Sequence, residues 1–118
     1  MKNTVSLKKD KEFRFLYKKG VSVPGDTVVL YYRANKYMQK TGLRLGITVS
    51  KKIGNAVVRN RIRRLVREAY RQIEPSLPFG YDFVIVARKK ADGASFAMVL
   101  SSMEAVFQKS GILKEKAK

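Results

Sequence analysis

A chain of 118 residues is the size of one ordinary domain, and its 45% hydrophobic content is enough for a core rather than a disordered basic tail. Its 26 Lys and Arg stand against 9 Asp and Glu, and the resulting net charge of +17 self-repels unless a polyanion neutralises it. Nucleic acid is therefore the expected partner, with an anionic membrane surface a distant second. The absence of both Cys and His excludes zinc fingers, thiol redox pairs and His-dependent nucleophilic or ribonuclease chemistry. The carboxylates are scattered among more numerous cations instead of clustering like the metal-binding acids of a nuclease, so no metal site on the protein alone is expected. No long apolar run and no apolar signal segment in Met1 to Lys11 occur, and the expected location is the cytoplasm, without membrane contact.

In chain order, Phe13, Leu16 and Tyr17 fall at helical spacing within Ser6 to Gly20, which predicts a short helix stopped at Gly20. Pro24 and Gly25 read as a turn, followed by a β-branched and aromatic strand over Asp26 to Ala34. Asn35 to Gly42 is polar enough for a hairpin loop. Beyond it Leu43, Leu45, Ile47 and Val49 alternate with polar or small residues, the period of a half-buried strand, and these two strands are expected to pair. A helix is predicted from Ala56 to about Glu74, ended by Pro75 and Pro78. Tyr81 to Arg88 is apolar on both faces and reads as a central strand. A last helix fits Ser95 to Lys109, closed by Gly111, with a frayed basic tail from about residue 113. One domain over 1–118, with α+β order αββαβα and helices covering a mixed sheet of about four strands, is the expected architecture.

Lys51 to Arg71 carries the most information. On a helical wheel Val58, Ile62, Leu65, Val66, Ala69 and Ile73 fall within an arc of roughly 100°. Asn60, Arg63, Arg64, Arg67 and Arg71 cluster on the far side, with Arg59 and Arg61 on opposite flanks. An ordinary solvated helix mixes charge signs at i,i+4 spacing, whereas only Glu68 interrupts these cations. The guanidinium fork also holds two phosphate oxygens at once, as Lys does not. Before this helix, Lys51, Lys52, Gly54 and Asn55 form a turn where an anion could dock on free N–H groups, or where Asn55 simply caps the helix; Gly54 allows a positive φ or a close backbone approach.

The run SKKIGNAVVRNRIRRLVREAYR, with Arg59-Asn60-Arg61 at its heart, resembles the signature of the bacterial ribonuclease P protein component. The resemblance extends from Leu7, Lys8 and Phe13 through Gly20 and Val29-Leu30-Tyr31 to Asp82-Phe83 and Ala87-Arg88. It implies a two-layer sandwich like the second domain of ribosomal protein S5, with a left-handed βαβ crossover that periodicity does not encode and that runs against the usual right-handed rule. It also implies a basic subunit that joins a catalytic RNA to remove the 5′ leader of precursor tRNA, with Mg²⁺ held mainly by the RNA, none bound stably by the protein, and no obligate protein partner.

Carried over residue by residue, the resemblance assigns contact with the RNA subunit to Lys51, Lys52, Asn55, Arg59, Asn60, Arg61, Arg63, Arg64, Arg67 and Arg71. Phe13, Tyr17 and Tyr31 match the aromatic cleft through which the single-stranded leader passes, and Arg33, Arg88, Lys89 and Lys90 extend that groove. Tyr17 stands where many relatives carry Phe. Phe15, Phe79, Phe83, Phe96 and Phe107 read as core. Two alternatives share the size and charge: a ribosomal or assembly protein with no part in cleavage, and a helix-turn-helix DNA reader using the arginine helix. A protein-only nuclease would need converging carboxylates.

Overall fold

The structure is a computed structural model that describes residues 2–114. Its elements in chain order are β1 (Thr4–Ser6), α1 (Asp10–Lys19), β2 (Val21–Pro24), β3 (Val28–Ala34), β4 (Leu43–Thr48), α2 (Ala56–Ile73), β5 (Tyr81–Ala87) and α3 (Phe96–Lys109), with single 3₁₀ turns before β4, after α2 and before α3. The fold class is α+β as expected, but the sheet has five strands, ordered β1-β4-β5-β3-β2. β1 and β2, for which the sequence predicts no strand, are short and lie at the edges, where a few residues carry no periodicity to recognise. Pro24 ends β2 on such an edge, where its missing N–H costs no ladder bond.

The strands Asp26 to Ala34 and Leu43 to Val49 do not pair as expected. β5 lies between them, antiparallel to β3 and parallel to β4, with Leu30 and Ile47 both opposite Ile85. The reason is burial: β5 is apolar on both faces and takes the centre, where it has a neighbour on each side. The segment Asn35 to Gly42 is accordingly no hairpin but a bridge across the end of β5, held by Asn35 N–H on the Gly80 carbonyl and Gly80 N–H on the Gly42 carbonyl. Gly42 itself is obligatory, with φ +143° and a Cβ position only 2.2 Å from the Asn3 carbonyl oxygen.

The sheet alternates cleanly. Val28, Leu30, Leu43, Leu45, Phe83, Ile85 and Ala87 face α2 and α3 and form the main core with Ile62, Val66, Ala69, Tyr70, Val99, Met103 and Phe107. Val84 faces the other way, where Leu7 and Leu16 bury it with Phe13, Tyr31 and Val86 packed around. Helix α1 thus lies alone on the second face, a partial third layer added to the two-layer sandwich. Its start at Asp10, later than the expected Ser6, follows from Thr4–Ser6 pairing with β4 as β1. At the other end of the chain, Ile112 and Leu113 pack against the main core, so the tail begins later than expected; residues 115–118 lie outside the described residues.

Candidate RNA interface

Helix α2 buries Ile62, Val66, Ala69, Tyr70 and Ile73, so its buried stripe is rotated toward Tyr70, and Val58 and Leu65 lie at its half-buried margins. The rotation has a polar anchor: the Tyr70 hydroxyl is hydrogen-bonded to Thr4 Oγ1 at 2.9 Å, and Thr4 in turn donates to the buried Glu74 carboxylate. Burial raises the Tyr70 phenol above its ordinary pKa, so it remains neutral. Arg64, Arg67, Asn60 and Arg71 then point to solvent. Arg71 reaches Glu68 at 3.3 Å across an exposed turn, while Arg64 and Arg67 have no carboxylate partner among the described residues.

The flanking arginines are spent differently. Arg61 Nη2 donates to the Ala94 carbonyl at 2.9 Å and fastens α2 to the turn before α3. Arg59 is half-buried, and its buried Nε has no hydrogen-bond partner. Arg63 donates to Asn60 Oδ1 at 3.2 Å and lies beside Phe13, Tyr17 and Thr48 in a groove, so it belongs to the α1 side as much as to the outer face of α2. In the preceding turn Lys51 and Lys52 are exposed, and Asn55 caps the helix by accepting Val58 N–H at 3.0 Å. Gly54 does not use positive φ; it is the close approach of Val58, 2.8 Å from where a Cβ would sit, that requires a glycine.

The second surface is a cleft along α1. Phe13 lies flat enough on Gly46 that a Cβ there would be 2.4 Å from its ring, and Leu16 covers Val84. Next to this covered row, Val29, Val86 and Thr48 are register neighbours on the same face and remain half-buried, forming an open floor. Tyr17 stands over that floor, 5.0 Å edge-on from Tyr31, with its hydroxyl hydrogen-bonded to Thr48 Oγ1 at 2.7 Å. Asp10, Arg14 and Arg63 line the same groove. Arg88, Lys89 and Lys90 follow β5 and line a separate small groove with Gly25 and Asp26; Arg88 donates to the Gly25 carbonyl and Lys90 pairs with Asp26 at 3.0 Å.

Arg33 is not in this cleft. It lies on the opposite side of α1, its Nη1 on the Lys19 carbonyl and its guanidinium 4.9 Å from the Phe15 ring centre. Residues the sequence reading passed over include Arg14, Thr48 and, above all, Arg44, which bridges Glu12 of α1 and Asp82 of β5. The alternation of β4 marked Arg44 only as solvent-facing, and nothing local to it signals two carboxylate partners. Phe83 and Phe107 are core as expected, and Phe96 is half-buried, but Phe15 and Phe79 are exposed.

No three acidic residues converge on a possible metal site among the described residues. Glu12 and Asp82 are held by Arg44, Glu74 by Thr4 and the N–H groups of Lys2 and Asn3, Asp26 by Lys90 and Glu68 by Arg71. Among the described residues Asp10, Asp92 and Glu104 have no ion-pair partner, and none belongs to a cluster of three acids. No helix among the described residues is long and apolar enough to cross a membrane.

Residues 1–111 match the family model described as Ribonuclease P. The ribonuclease P protein component of Exiguobacterium sibiricum is 47% identical over the whole of both chains, and that of Shouchella clausii is 43% identical over 96% of this chain and 91% of its own. Among solved structures, the RNase P protein of Staphylococcus aureus superposes with a TM-score of 0.82 at 35% identity, covering 92% of this chain and 97% of that one. The Thermotoga maritima RNase P protein gives 0.74 at 28% identity over 95% and 98%. With the family's length, fold and arginine helix all present, the chain belongs to the ribonuclease P protein component family.

Proposed function

We propose that this chain grips two RNAs at once: the catalytic RNA of ribonuclease P on the outer face of α2, and the unpaired 5′ leader of precursor tRNA in the α1 cleft. As a ribonuclease P protein component it is the protein subunit of the holoenzyme, an endoribonuclease that matures tRNA 5′ ends, and its partners are the RNase P RNA and precursor tRNA. The residue assignment is supported by one observation. The uncompensated guanidinium group of Arg64 is exposed on α2 and suited to phosphates, the ring pair Tyr17–Tyr31 along α1 is suited to unstacked bases, and Arg67 lines a groove with Arg63 and Phe13.

On α2, Arg64, Arg67, Asn60 and Arg71, with Lys51 and Lys52 at the entry, neutralise backbone phosphates and release counterions. Asn55, Arg59 and Arg61 act mainly through the fold there, as cap, half-buried flank and tether. In the cleft, Phe13, Tyr17 and Tyr31 offer ring faces and edges to a splayed strand, Thr48 and Arg63 supply polar contacts, and Arg88 and Lys89 draw the backbone toward their own small groove. Mg²⁺ is assigned to the RNA, because no three acidic residues converge among the described residues. This division makes the subunit an affinity device and leaves bond breaking to the RNA.

Reconstitution tests it. Adding the chain to its catalytic RNA at low Mg²⁺ should stimulate leader removal, and the protein alone should not cleave. Tyr17→Ala should weaken binding of leader-bearing precursor and leave mature tRNA unaffected; equal loss for both would contradict the cleft assignment.

A further inference from the structure

On the side of α1 away from the leader cleft lies a second open groove of about 680 Å³, lined by Lys11, Phe15, Arg33, Lys36, Tyr37 and the Arg44 ion-pair network. Two features set it apart from ordinary surface. Phe15 is 50% exposed and Tyr37 83% exposed, and each ring already has a cation beside it, Arg33 at 4.9 Å and Lys36 at 5.5 Å. The two carboxylates in the groove, Glu12 and Asp82, both bond Arg44, with Asn35 Nδ2 also donating to Asp82 at 3.1 Å, and Lys11, Arg33 and Lys36 leave the lining net positive. What remains toward solvent is aromatic faces and positive charge, the combination that binds unpaired nucleic acid.

The groove and the cleft have separate linings, on either side of α1. Tyr31 and Arg33 lie two residues apart on the same face of β3, roughly 7 Å along the strand. The exposed Lys18 and Lys19 stand at the helix end between them, and Arg33 is bonded to the Lys19 carbonyl. A strand leaving the Tyr17–Tyr31 pair would round this basic end and meet Arg33 and Phe15 next.

We propose that this second groove holds the distal part of the precursor's 5′ leader, beyond the stretch that fills the cleft, with Phe15 and Tyr37 as stacking platforms and Lys11, Arg33 and Lys36 on the phosphates. This extends the cleft assignment above and depends on it for the direction of the strand.

The test uses reconstituted holoenzyme and two precursors, one with a leader just long enough for the cleft and one extended by about ten nucleotides. The Phe15→Ala/Tyr37→Ala double variant removes only exposed rings. It should bind the short-leader precursor as the wild type does and bind the long-leader precursor at least about fivefold more weakly, the low end of loss for one stacked base. Unchanged affinity for both, or equal loss for both, overturns the proposal; the second outcome would place the groove on the RNA subunit. Tyr17→Ala, measured in parallel on the short-leader precursor, reports on the cleft assignment separately, so failure of either reading is visible without the other.

Discussion

Arg64 and Arg67 are informative because of what they lack. An exposed arginine without a carboxylate neighbour keeps its full charge for a ligand, whereas Arg71 shares its charge with Glu68 and Arg61 is tied to a carbonyl. Replacing Arg64 or Arg67 by Ala should weaken RNA-subunit binding and lower the slope of log K against log[salt] by about 0.7–0.9 per residue, measurable by filter binding across a salt series. Arg61→Ala should instead cost fold stability, with a smaller change in slope. Tyr17 separates two roles in one side chain. Tyr17→Phe removes the Thr48 hydrogen bond and should lower stability by about 0.5–1.5 kcal/mol, read from denaturant melts, while the retained ring still binds leader; Tyr17→Ala should lose both.

At the scale of elements, α1 is held to the sheet by a small apolar contact and one ion-pair network. Burial pushes the Glu12 carboxyl up, but the hydrogen bond and charge of Arg44 and the N–H of Lys9 outweigh it and leave it below its ordinary value of 4.5. The carboxylate form is therefore favoured by folding. That stabilisation is complete above pH 4.5 and disappears as pH falls through the lowered folded value. Glu12→Gln should lower Tm at neutral pH and flatten the acid limb of a Tm-against-pH curve, with wild type and variant converging at low pH. Because Glu12 is half-exposed, the effect is expected to be modest. Gly46 is the apolar counterpart: Gly46→Ala would drive a methyl into the Phe13 ring, lifting α1 and disturbing the cleft, seen as weaker leader binding alongside a lower Tm.

For the whole molecule, a net charge of +17 on one small domain opposes compaction. Any polyanion that binds only the folded state raises its stability by mass action. Sulfate should therefore raise Tm more than chloride at equal ionic strength, and the Arg64→Ala/Arg67→Ala double variant should show a smaller sulfate effect; calorimetry in the two salts measures both. The arrangement also keeps the exposed cations of α2 apart from the main core, on faces where solvent screens them.

Local chemistry alone determined a great deal here. Net charge selected the class of partner, 3.6-residue periodicity defined α2 and its outward arginines to within a small rotation, and an apolar run marked β5 as central, because each of these depends on residues close together along the chain. Tertiary structure alone decided that β5 separates β3 from β4, that Arg44 joins Glu12 to Asp82, that Phe15 faces water, and that Arg33 and Tyr31 fall on opposite sides of α1. Those outcomes depend on which distant segments become neighbours, and a side chain's partners across a sheet or beneath a crossing helix leave no trace in its own stretch of sequence.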